Sequence, residues 1–445
     1  MVSTVNAGPR LDRLPISSFH YRIFWLIGAG MFFDGYDLYV AASVLGATVQ
    51  SKFAVLSQVP QFISWTFVGM TIGAVIAGFL GDKYGRRFTY QFNLVVFGVA
   101  SFAAAAAPTM DWLIAARFVM GLGLGAEIVV GYSTMTEFVP PKSRGRWMSF
   151  MAFIVVAGFP ATSIISTIDV PNFGWRPMFV IAGVGALIVW YLRKNLPESP
   201  RWLEANGRME EAEELMRQIE QEASGGRPLP PPAVAAPVQV YGFSSLFSAT
   251  LLPRLIVGSV VLIVINTLIF GFVNWLPTFF GQQGISITKS LTYTMVLAGG
   301  SLVGCALGAW AADQFGRKPT IIGASLLSIA AGWAYPYMAD PTMLLSVGFV
   351  LIVGIYILTA VLYGVYTTEL FPTEVRLRAN GLCNMLGRGA TVVSPFIVLS
   401  LFKTYGVQGV LALMIGLLIL QIVVVAIWGI ETNKRGLEEL EGTKA

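Results

Sequence analysis

The sequence is poor in charge. Lysine, arginine, aspartate and glutamate make up only 12% of its 445 residues, whereas hydrophobic residues make up 55%. Soluble globular domains carry about 25% charged residues, so this composition excludes a chain of soluble domains. It predicts an all-α integral membrane protein, in which the 47 glycines allow neighbouring helices to approach closely.

The sequence also lacks the residues that metal, redox and nucleotide chemistry need. Its one histidine, His20, precedes the first apolar run, and Cys305 and Cys383 lie in separate apolar runs. A metal centre needs more ligands than these, and no stretch matches the phosphate-binding loop of ATPases. We therefore predict no enzyme activity, no metal and no cofactor. The polar segment 1–20 has no cleavage-type signal, which favours a bacterial inner membrane protein.

Twelve apolar runs are long enough to cross a bilayer, which takes about 20 residues per helix. They cover approximately 22–49, 59–80, 88–107, 110–137, 147–168, 176–194, 254–281, 290–312, 319–338, 341–369, 379–402 and 407–430. We call these predicted helices 1 to 12. The sequence thus predicts a six-helix half at 1–194, a loop at 195–253 and a second six-helix half at 254–445. The loop holds a charged surface helix at 203–222 and a proline-rich linker at 228–237.

The positions of lysine and arginine predict the orientation. If the N-terminus is cytoplasmic, 23 of the 29 lie on the cytoplasmic side, and Lys52, Arg176, Lys289 and Lys403 lie outside. Positive residues favour the cytoplasmic side, so both termini are predicted to be cytoplasmic. The net charge of +5 then reflects topology rather than nucleic-acid binding. The remaining two of the 29, Arg117 and Arg388, fall within helices, away from their ends.

Three unrelated motifs occur twice, 231 to 233 residues apart. They are Asp82-x-x-Gly85-Arg86-Arg87 with Asp313-x-x-Gly316-Arg317-Lys318, Thr136-Glu137-x-x-Pro140 with Thr368-Glu369-x-x-Pro372, and Glu198 with Glu431; Arg144 and Arg146 likewise correspond to Arg376 and Arg378. One shared offset predicts two homologous halves related by a parallel repeat.

Together with these repeats, two local motifs carry a family resemblance. They are Arg117 followed by Gly121-x-Gly123-x-Gly125, and Pro197-Glu198-Ser199-Pro200-Arg201. The whole chain resembles the major facilitator superfamily in its sugar-porter-like branch. Asp34-Gly35-Tyr36-Asp37 resembles the organic-acid/proton symporters and bacterial nicotinate transporters, which are similar to animal organic anion and cation carriers. Predicted helix 7 lacks the paired glutamines usual in sugar porters, which argues against a sugar substrate.

Three acids within predicted helices are candidates for proton coupling. Asp34 and Asp37 lie three residues apart and so share one face of helix 1. A carboxylate at this depth persists if it faces a wet cavity, pairs with a cation or takes up a proton, although either can instead brace helix 1. The resemblance implies that Asp37 faces Arg117. Glu127, three turns beyond Arg117, belongs either to the cavity and the proton route or to a structural pair with a buried polar group.

Arg388 is the main candidate for substrate binding. It lies within predicted helix 11, between Gly387 and Gly389, where an ionised guanidinium needs an anion. That anion is either an internal carboxylate or the carboxylate of the substrate. The resembled anion carriers place an arginine in the corresponding part of helix 11.

Aromatic and amide side chains complete the predicted substrate site. A flat ring can stack against aromatic walls, although any single aromatic is more often lipid-facing or core filler. The predicted site comprises Tyr36, Asn266, Trp275, Tyr363 and Asn384 beside Arg388; further aromatic candidates are Phe32, Phe33, Tyr39, Phe270, Tyr356 and Tyr366.

The repeated charged motifs are predicted to act as gates. Their charges would close the inner face when paired and separate when it opens, with Asp82 and Asp313 accepting hydrogen bonds at helix N-termini. Positive-inside topology alone explains the charges but not their repetition. The predicted gating residues are Asp82, Arg86, Arg87, Glu137, Arg144, Asp313, Arg317, Glu369 and Arg376.

These features predict a monomeric secondary transporter that imports a small organic anion by alternating access. The favoured substrate is an aromatic or pyridine monocarboxylate such as nicotinate, with proton coupling. Two alternatives stay open: an organic cation or drug carrier that uses Asp34, Asp37 and Glu127 as counter-ions, and a sugar/proton symporter.

The predicted topology can be tested by cysteine accessibility in intact cells. Single cysteines placed near Lys52, Arg176 and Lys289 should react with a membrane-impermeant reagent, because those loops are predicted to be outside. Cysteines at positions 210–235 should stay unmodified until the cells are opened. External labelling of 210–235 would contradict the orientation.

Overall fold

The computed structural model describes residues 5–225, 227–232, 246–338, 340–371 and 375–432, and all their regular elements are helices. The α-helices are α1 (Ala7–Asp12), α2 (Ser18–Gln50), α3 (Val59–Tyr84), α4 (Arg86–Ala105), α5 (Met110–Phe138), α6 (Pro141–Phe173), α7 (Arg176–Leu192), α8 (Pro200–Ala205), α9 (Met209–Ser224), α10 (Leu252–Gly271), α11 (Leu276–Gln282), α12 (Ile287–Phe315), α13 (Arg317–Ala334), α14 (Pro341–Val361), α15 (Thr367–Glu369) and α16 (Arg376–Trp428). The predicted linker 228–237 lies outside the described residues from position 233 onward.

The predicted twelve-helix fold is confirmed. Within the described ranges, nine helices are long and apolar enough to cross a membrane. One of them, α16, contains two spans because the chain turns back at Gly406, where φ is 64° and ψ is −157°. The more polar α2 and α13 complete the set. Two spans of the second half are interrupted: a 3-10 turn separates α10 from α11, and a π-helical turn at Leu362–Tyr366 follows α14.

Glycine contacts set the helix packing around the centre of the first half. A Cβ added at Gly73 would lie 2.0 Å from the carbonyl oxygen of Leu122, so α3 and α5 are in backbone contact. In the same way, a Cβ at Gly35 would lie 2.0 Å from the carbonyl oxygen of Val155 on α6. Small residues permit this approach in a membrane. The contacts determine how α2 and α5 are rotated, and therefore where their charged side chains point.

We call the membrane face that carries the α3–α4 loop and helices α8 and α9 the charged face. Hydrogen bonds join the two halves at mid-membrane and toward the opposite face. Tyr356 donates to the Tyr39 hydroxyl (2.9 Å), Ser64 to the Val392 carbonyl (2.7 Å) and Gln50 to the Ile285 carbonyl (3.4 Å). These contacts close the opposite face between the halves.

The predicted surface helix 203–222 is two helices rather than one. The chain turns between α8 and α9 at Gly207, where φ is 74°. Both helices lie on the first half and hold the N-terminal segment. The Glu204 carboxylate accepts three backbone N–H groups, from Val5 (2.9 Å), Asn6 (2.8 Å) and Ala7 (2.9 Å), and so caps the start of α1.

Ion pairs fasten α1 to α9. Arg10 pairs with Glu213 at 2.5 Å and with Glu220 at 2.7 Å, and Arg13 pairs with Glu220 at 2.6 Å. The hydrogen bond from Arg10 lowers the pKa of the Glu213 carboxyl. Burial raises the pKa of Glu220, but the hydrogen bonds from Arg10 and Arg13 outweigh burial, and the net pKa is lowered. These pairs therefore stabilise the docked segment above the ordinary glutamate pKa, and the contribution is lost as the pH falls through the lowered values.

Glu220→Gln should loosen the N-terminal segment at neutral pH, because both arginines then lose a charged partner. Hydrogen bonds to charged groups contribute about 1.5–3 kcal/mol each, so amide exchange at residues 7–14 should accelerate by an order of magnitude or more in hydrogen-exchange mass spectrometry. Glu210→Gln, at an exposed position of the same helix, is the control and should exchange like the parent protein. Equal protection in both variants would show that the ion pairs do not hold the segment.

Candidate functional site

The predicted contact between Asp37 and Arg117 is present at the centre of the first half. Arg117 Nη1 lies 2.5 Å from Asp37 Oδ2, and both side chains are buried. Arg117 Nε also donates to Thr66 Oγ1 at 3.2 Å, and the guanidinium lies over the Phe62 ring at 5.1 Å. The pair joins α2 to α5 and is electrically neutral.

Glu127 forms a second buried ion pair, with Arg193. Arg193 follows α7 and also donates to the backbone carbonyls of Leu26 and Ile27, at 2.8 Å each. A Cβ at position 30 would lie 2.0 Å from Arg193 Nη2, so only glycine at position 30 leaves room for this arginine. Of the two roles left open for Glu127, the described contacts favour the structural pair.

Arg193 is a residue that the sequence reasoning missed. The count of lysine and arginine on each side of the membrane placed Arg193 in the loop after predicted helix 6, yet the residue is only 1% exposed. Arg254, also assigned to that loop, is equally buried and donates to the Leu370 carbonyl at 3.4 Å. The signal available was the position of Arg193 inside the apolar run 176–194, together with the need of Glu127 for a cation.

Asp34 shares a helix face with Asp37 but has different surroundings. Its side chain is 3% exposed, and Oδ2 has no hydrogen-bond partner within the part of the chain that the structure describes. The charges that act on it are those of Glu127, Arg193 and Asp37. Both neighbouring acids are already paired with arginines, so Asp34 is left as the open carboxylate of the first half.

Arg388 lies on α16, in the second half. Its Nη1 atom is buried and, among the described residues, has no hydrogen-bond partner. Tyr363, from the π-helical turn, interacts electrostatically with Arg388 and contacts Asn266. A Cβ at Gly387 would lie 2.9 Å from Asn266 Nδ2, whereas one at Gly389 would meet nothing within 4 Å. Gly387 therefore allows α16 to pack closely on α10, whereas Gly389 has open space beside it.

The structure places some predicted substrate residues near Arg388 and others elsewhere. Asn384 is half-buried on α16, one turn from Arg388, with its amide donating to Asn380. Tyr36 does not reach Arg388, because its hydroxyl donates to the Met178 carbonyl at 3.2 Å within the first half. Trp275 is fully enclosed and stacks on Phe279. In this conformation the printed contacts of Tyr36 and Trp275 are with other residues of the protein, and their predicted role in substrate binding stays a prediction.

Further predicted aromatics form a layer between the site and the opposite face. Tyr39 stacks on Phe159 with ring centroids 4.7 Å apart, and Phe159 stacks on Tyr356 at 6.0 Å. Tyr39 and Tyr356 are also hydrogen-bonded to each other, so this layer links the two halves. Phe270 of the second half also contacts Phe67 of the first half, edge to face, with ring centroids 4.5 Å apart. Phe32 and Phe33 are half-buried on α2, and Tyr366 is buried.

Both charged repeats adopt the same geometry. Arg86 pairs with Asp82 at 3.2 Å and Glu137 at 3.1 Å, and Arg317 pairs with Asp313 at 3.1 Å and Glu369 at 3.2 Å. Each of these pairs lies within one half. They fasten neighbouring helices at the charged face.

The predicted role of Asp82 and Asp313 is wrong in one respect. The carboxylates at the helix N-termini belong to Glu198, which accepts the backbone N–H groups of Arg86 (2.8 Å) and Arg87 (3.2 Å), and to Glu431, which accepts those of Arg317 (2.9 Å) and Lys318 (3.0 Å). Asp82 and Asp313 come before the turn glycines, whose φ values are 93° and 99°, and so their side chains reach the arginines one turn later.

The other predicted gating residues contact neighbouring segments within their own half. Arg87 donates to the Lys194 carbonyl at 2.7 Å, and Arg144 lies 3.5 Å from Asp12. Arg376 donates to the Phe371 carbonyl at 3.2 Å. Arg87 therefore ties the start of α4 to the turn after α7, and Arg144 ties α6 to the N-terminal segment.

Twelve membrane helices, a charged loop repeated in both halves and buried ion pairs between the helices define a membrane transporter of the major facilitator superfamily. The chain belongs to the sugar (and other) transporter family, whose model matches residues 24–443. It is therefore a multi-pass membrane protein that carries a small molecule, and not an enzyme.

Curated relatives extend over the whole chain. The inner membrane metabolite transport protein YdjE of Escherichia coli is 36% identical over 97% of this chain and 98% of its own length. The niacin transporter NiaP of Acinetobacter baylyi is 31% identical over the same shares. Among solved structures, the xylose transporter XylE from E. coli in a partially occluded inward open conformation matches with a TM-score of 0.72 at 19% identity, over 94% of this chain and 100% of that one. This structural similarity shows that the chain and the xylose transporter share a fold.

The buried Asp37–Arg117 pair generates a stability prediction. Asp37→Asn should lower the melting temperature in detergent strongly, because an unpaired buried guanidinium costs about 3–5 kcal/mol. The double variant Asp37→Asn/Arg117→Gln should regain much of this loss, because no charge then stays buried. Asp111→Asn, an exposed acid on the opposite face, is the control. A double variant that melts no higher than the single one would contradict a stabilising pair.

Proposed function

We propose that this transporter imports a small organic anion, an aromatic or pyridine monocarboxylate of the nicotinate type, together with a proton. The observation that carries the proposal is the guanidinium of Arg388, whose Nη1 atom is buried and has no hydrogen-bond partner among the described residues. An ionised arginine at this depth needs an anion. A substrate carboxylate supplies one.

The internal acids support this assignment by their own partners. Asp37 is paired with Arg117 and Glu127 with Arg193, so neither is free to pair with Arg388. Asp34 is the one acid of the three without an ion pair among the described residues. A carboxylate from the substrate would bind both Arg388 amino groups in the two-pronged geometry that guanidinium favours.

The remaining walls suit a flat ring with polar atoms. Tyr363 and Asn384 are half-buried around Arg388, and Asn266 lies behind Tyr363. Aromatic and amide groups of this kind stack on a ring and bind its heteroatom. The relative named as a niacin transporter supports a pyridine carboxylate over other anions.

The charged face is assigned to the cytoplasm, because it carries the excess of lysine and arginine. With the opposite face closed by the contacts between the halves, the described conformation is then the inward-facing one. Rocking of the two halves would expose Arg388 alternately to each side. A second candidate, an organic cation carrier, is favoured by one observation, the open carboxylate of Asp34.

Substitution of Arg388 separates these functions. Arg388→Ala removes the charge and Arg388→Lys the two-pronged geometry, so nicotinate binding to the purified carrier should weaken by about 1.5–3 kcal/mol, or about 10-fold to 150-fold. Nicotinamide binding should hardly change, because the amide has no charge for Arg388. Isothermal titration calorimetry measures both ligands.

Lys403→Ala, at an exposed position of the same helix, is the matched control and should bind nicotinate like the parent protein. Equal losses for acid and amide in the Arg388 variants would make Arg388 structural. Binding of organic cations alone, with no binding of nicotinate, would favour the cation carrier.

A further inference from the structure

A cavity of about 800 Å³ lies at the charged face of the first half, between the membrane helices and α9. The end of α3, the start of α4, the turn after α7 and helix α9 provide its walls. We call it the α4–α9 groove. Its lining combines aromatic rings with charges of both signs and includes Tyr84, Arg87, Phe88, Lys194, Glu198 and Glu214.

Several charges of the groove are already matched inside the protein. The Glu198 carboxylate accepts backbone N–H groups of the first turn of α4, at 2.8 Å and 3.2 Å. Arg208 forms an ion pair with Glu211, one turn further along α9. These side chains have the partners that their charges require, so they do not call for a ligand.

Three other charges in the groove have no ion pair within the described ranges: the guanidinium of Arg87, the ammonium of Lys194 and the carboxylate of Glu214. Arg87 Nη2 donates to the backbone carbonyl of Lys194 at 2.7 Å, which brings the two cationic residues together. The Lys194 ammonium also lies 4.8 Å from the ring centroids of both Trp190 and Tyr191. Two neighbouring cations repel each other unless an anion binds between them.

An aromatic ladder leads from the groove along α4. The ring centroids of Tyr84 and Phe88 are 5.2 Å apart, and those of Phe88 and Phe92 are 6.2 Å apart. Each of the three residues is 47–48% exposed. Phe88 and Phe92 lie one turn apart on one face of a helix that is apolar enough to cross the membrane. The exposed rings therefore offer an apolar path from the charged groove into the lipid.

We propose that the α4–α9 groove binds a phospholipid whose headgroup carries both a phosphate and a primary ammonium, as in phosphatidylethanolamine. The phosphate would lie between Arg87 and Lys194, the ammonium would donate to Glu214, and an acyl chain would follow Phe88 and Phe92. Each end of the headgroup then meets the opposite charge. The bonds to the phosphate and to the carboxylate are charge-assisted, which makes them stronger than neutral hydrogen bonds.

Other phospholipids match the groove less completely. Phosphatidylcholine has the phosphate, but its quaternary ammonium has no N–H group to donate to Glu214. Phosphatidylglycerol also has the phosphate but brings no cation, so Glu214 would remain without a partner. The site involves no transported molecule, and the inference therefore goes beyond the proposed function and does not depend on it.

The corresponding position of the second half does not offer the same site. A cavity of about 560 Å³ lies beside Lys318 and Glu431. The Lys318 ammonium donates to the backbone carbonyls of Ala426 at 2.9 Å and Gly429 at 3.1 Å, so the protein itself uses this cation. Glu431 accepts backbone N–H groups at the start of α13. The other lining residues carry no charge, and the headgroup site is thus specific to the first half.

A bound lipid would connect α9 to the membrane ends of α4 and α7, because Glu214 belongs to α9 whereas Arg87 and Lys194 belong to the other two walls. The headgroup would therefore help to hold the surface helices on the first half. Binding should raise the melting temperature of the carrier, since a ligand that binds only the folded state stabilises it.

The first test uses the purified, delipidated full-length carrier in detergent and three lipids with the same acyl chains: phosphatidylethanolamine, phosphatidylcholine and phosphatidylglycerol. Native mass spectrometry should show one phosphatidylethanolamine retained per carrier, and this lipid should raise the melting temperature most. Lys194→Gln should weaken its binding by about tenfold or more, because the phosphate loses a charged partner. The matched control is Arg146→Gln. Arg146 is an exposed cation of the charged face that lies over the Phe150 ring at 5.5 Å, outside the groove, and its variant should bind like the parent protein.

The second test separates the two ends of the headgroup. Glu214→Gln should still bind phosphatidylethanolamine through its phosphate, but should lose the preference for this lipid over phosphatidylcholine. Glu210→Gln, an acid-to-amide change at an exposed position of the same helix, should keep the preference. Lys194 and Glu214 are both exposed, so their substitution leaves the fold intact. Equal binding of the three lipids to the parent protein would overturn the inference, and so would Lys194→Gln and Glu214→Gln variants that both bind lipids like the parent.

Discussion

The need to neutralise charge inside the membrane is the constraint on which the rest of this structure depends. An ionised side chain is tolerated there only beside a partner or in a wet cavity. Asp37 with Arg117 and Glu127 with Arg193 meet this need by direct pairing. These ion pairs form only where the helices are closely packed. The absence of a side chain at Gly30, Gly35 and Gly73 allows that close packing. The first half is thereby one tightly packed body, in which Asp34 is a buried carboxylate whose Oδ2 has no hydrogen-bond partner among the described residues.

The charged face repeats one device in both halves. A glutamate that follows the sixth helix of each half binds the first amides of the third, at a turn glycine with positive φ. An arginine from that turn then pairs with acids of neighbouring helices. These contacts fasten helices within a half, whereas ring stacking and single hydrogen bonds join the halves. Firm halves with a lighter contact between them are what rigid-body rocking requires.

The arrangement of charges also bears on selectivity. Among the described residues, Asp34 Oδ2 in the first half and Arg388 Nη1 in the second are buried without hydrogen-bond partners. Under the proposed function a monoanion neutralises Arg388, whereas a neutral sugar would leave that charge unpaired. The fold is shared with a xylose transporter, but a shared fold does not fix the substrate.

The apolar runs and the shared offset of three motifs were sufficient to predict twelve helices in two halves, because length and periodicity report the bilayer directly. The resemblance of Asp37 and Arg117 to a known pattern was enough to predict their contact. Only the tertiary structure decided that Arg193 turns inward to Glu127, that Glu198 and Glu431 rather than Asp82 and Asp313 cap the loops, and that Tyr36 points to Met178. These outcomes depend on helix rotation and on the direction of side chains at helix ends. Both are set by packing against neighbours distant in sequence, which no local pattern encodes.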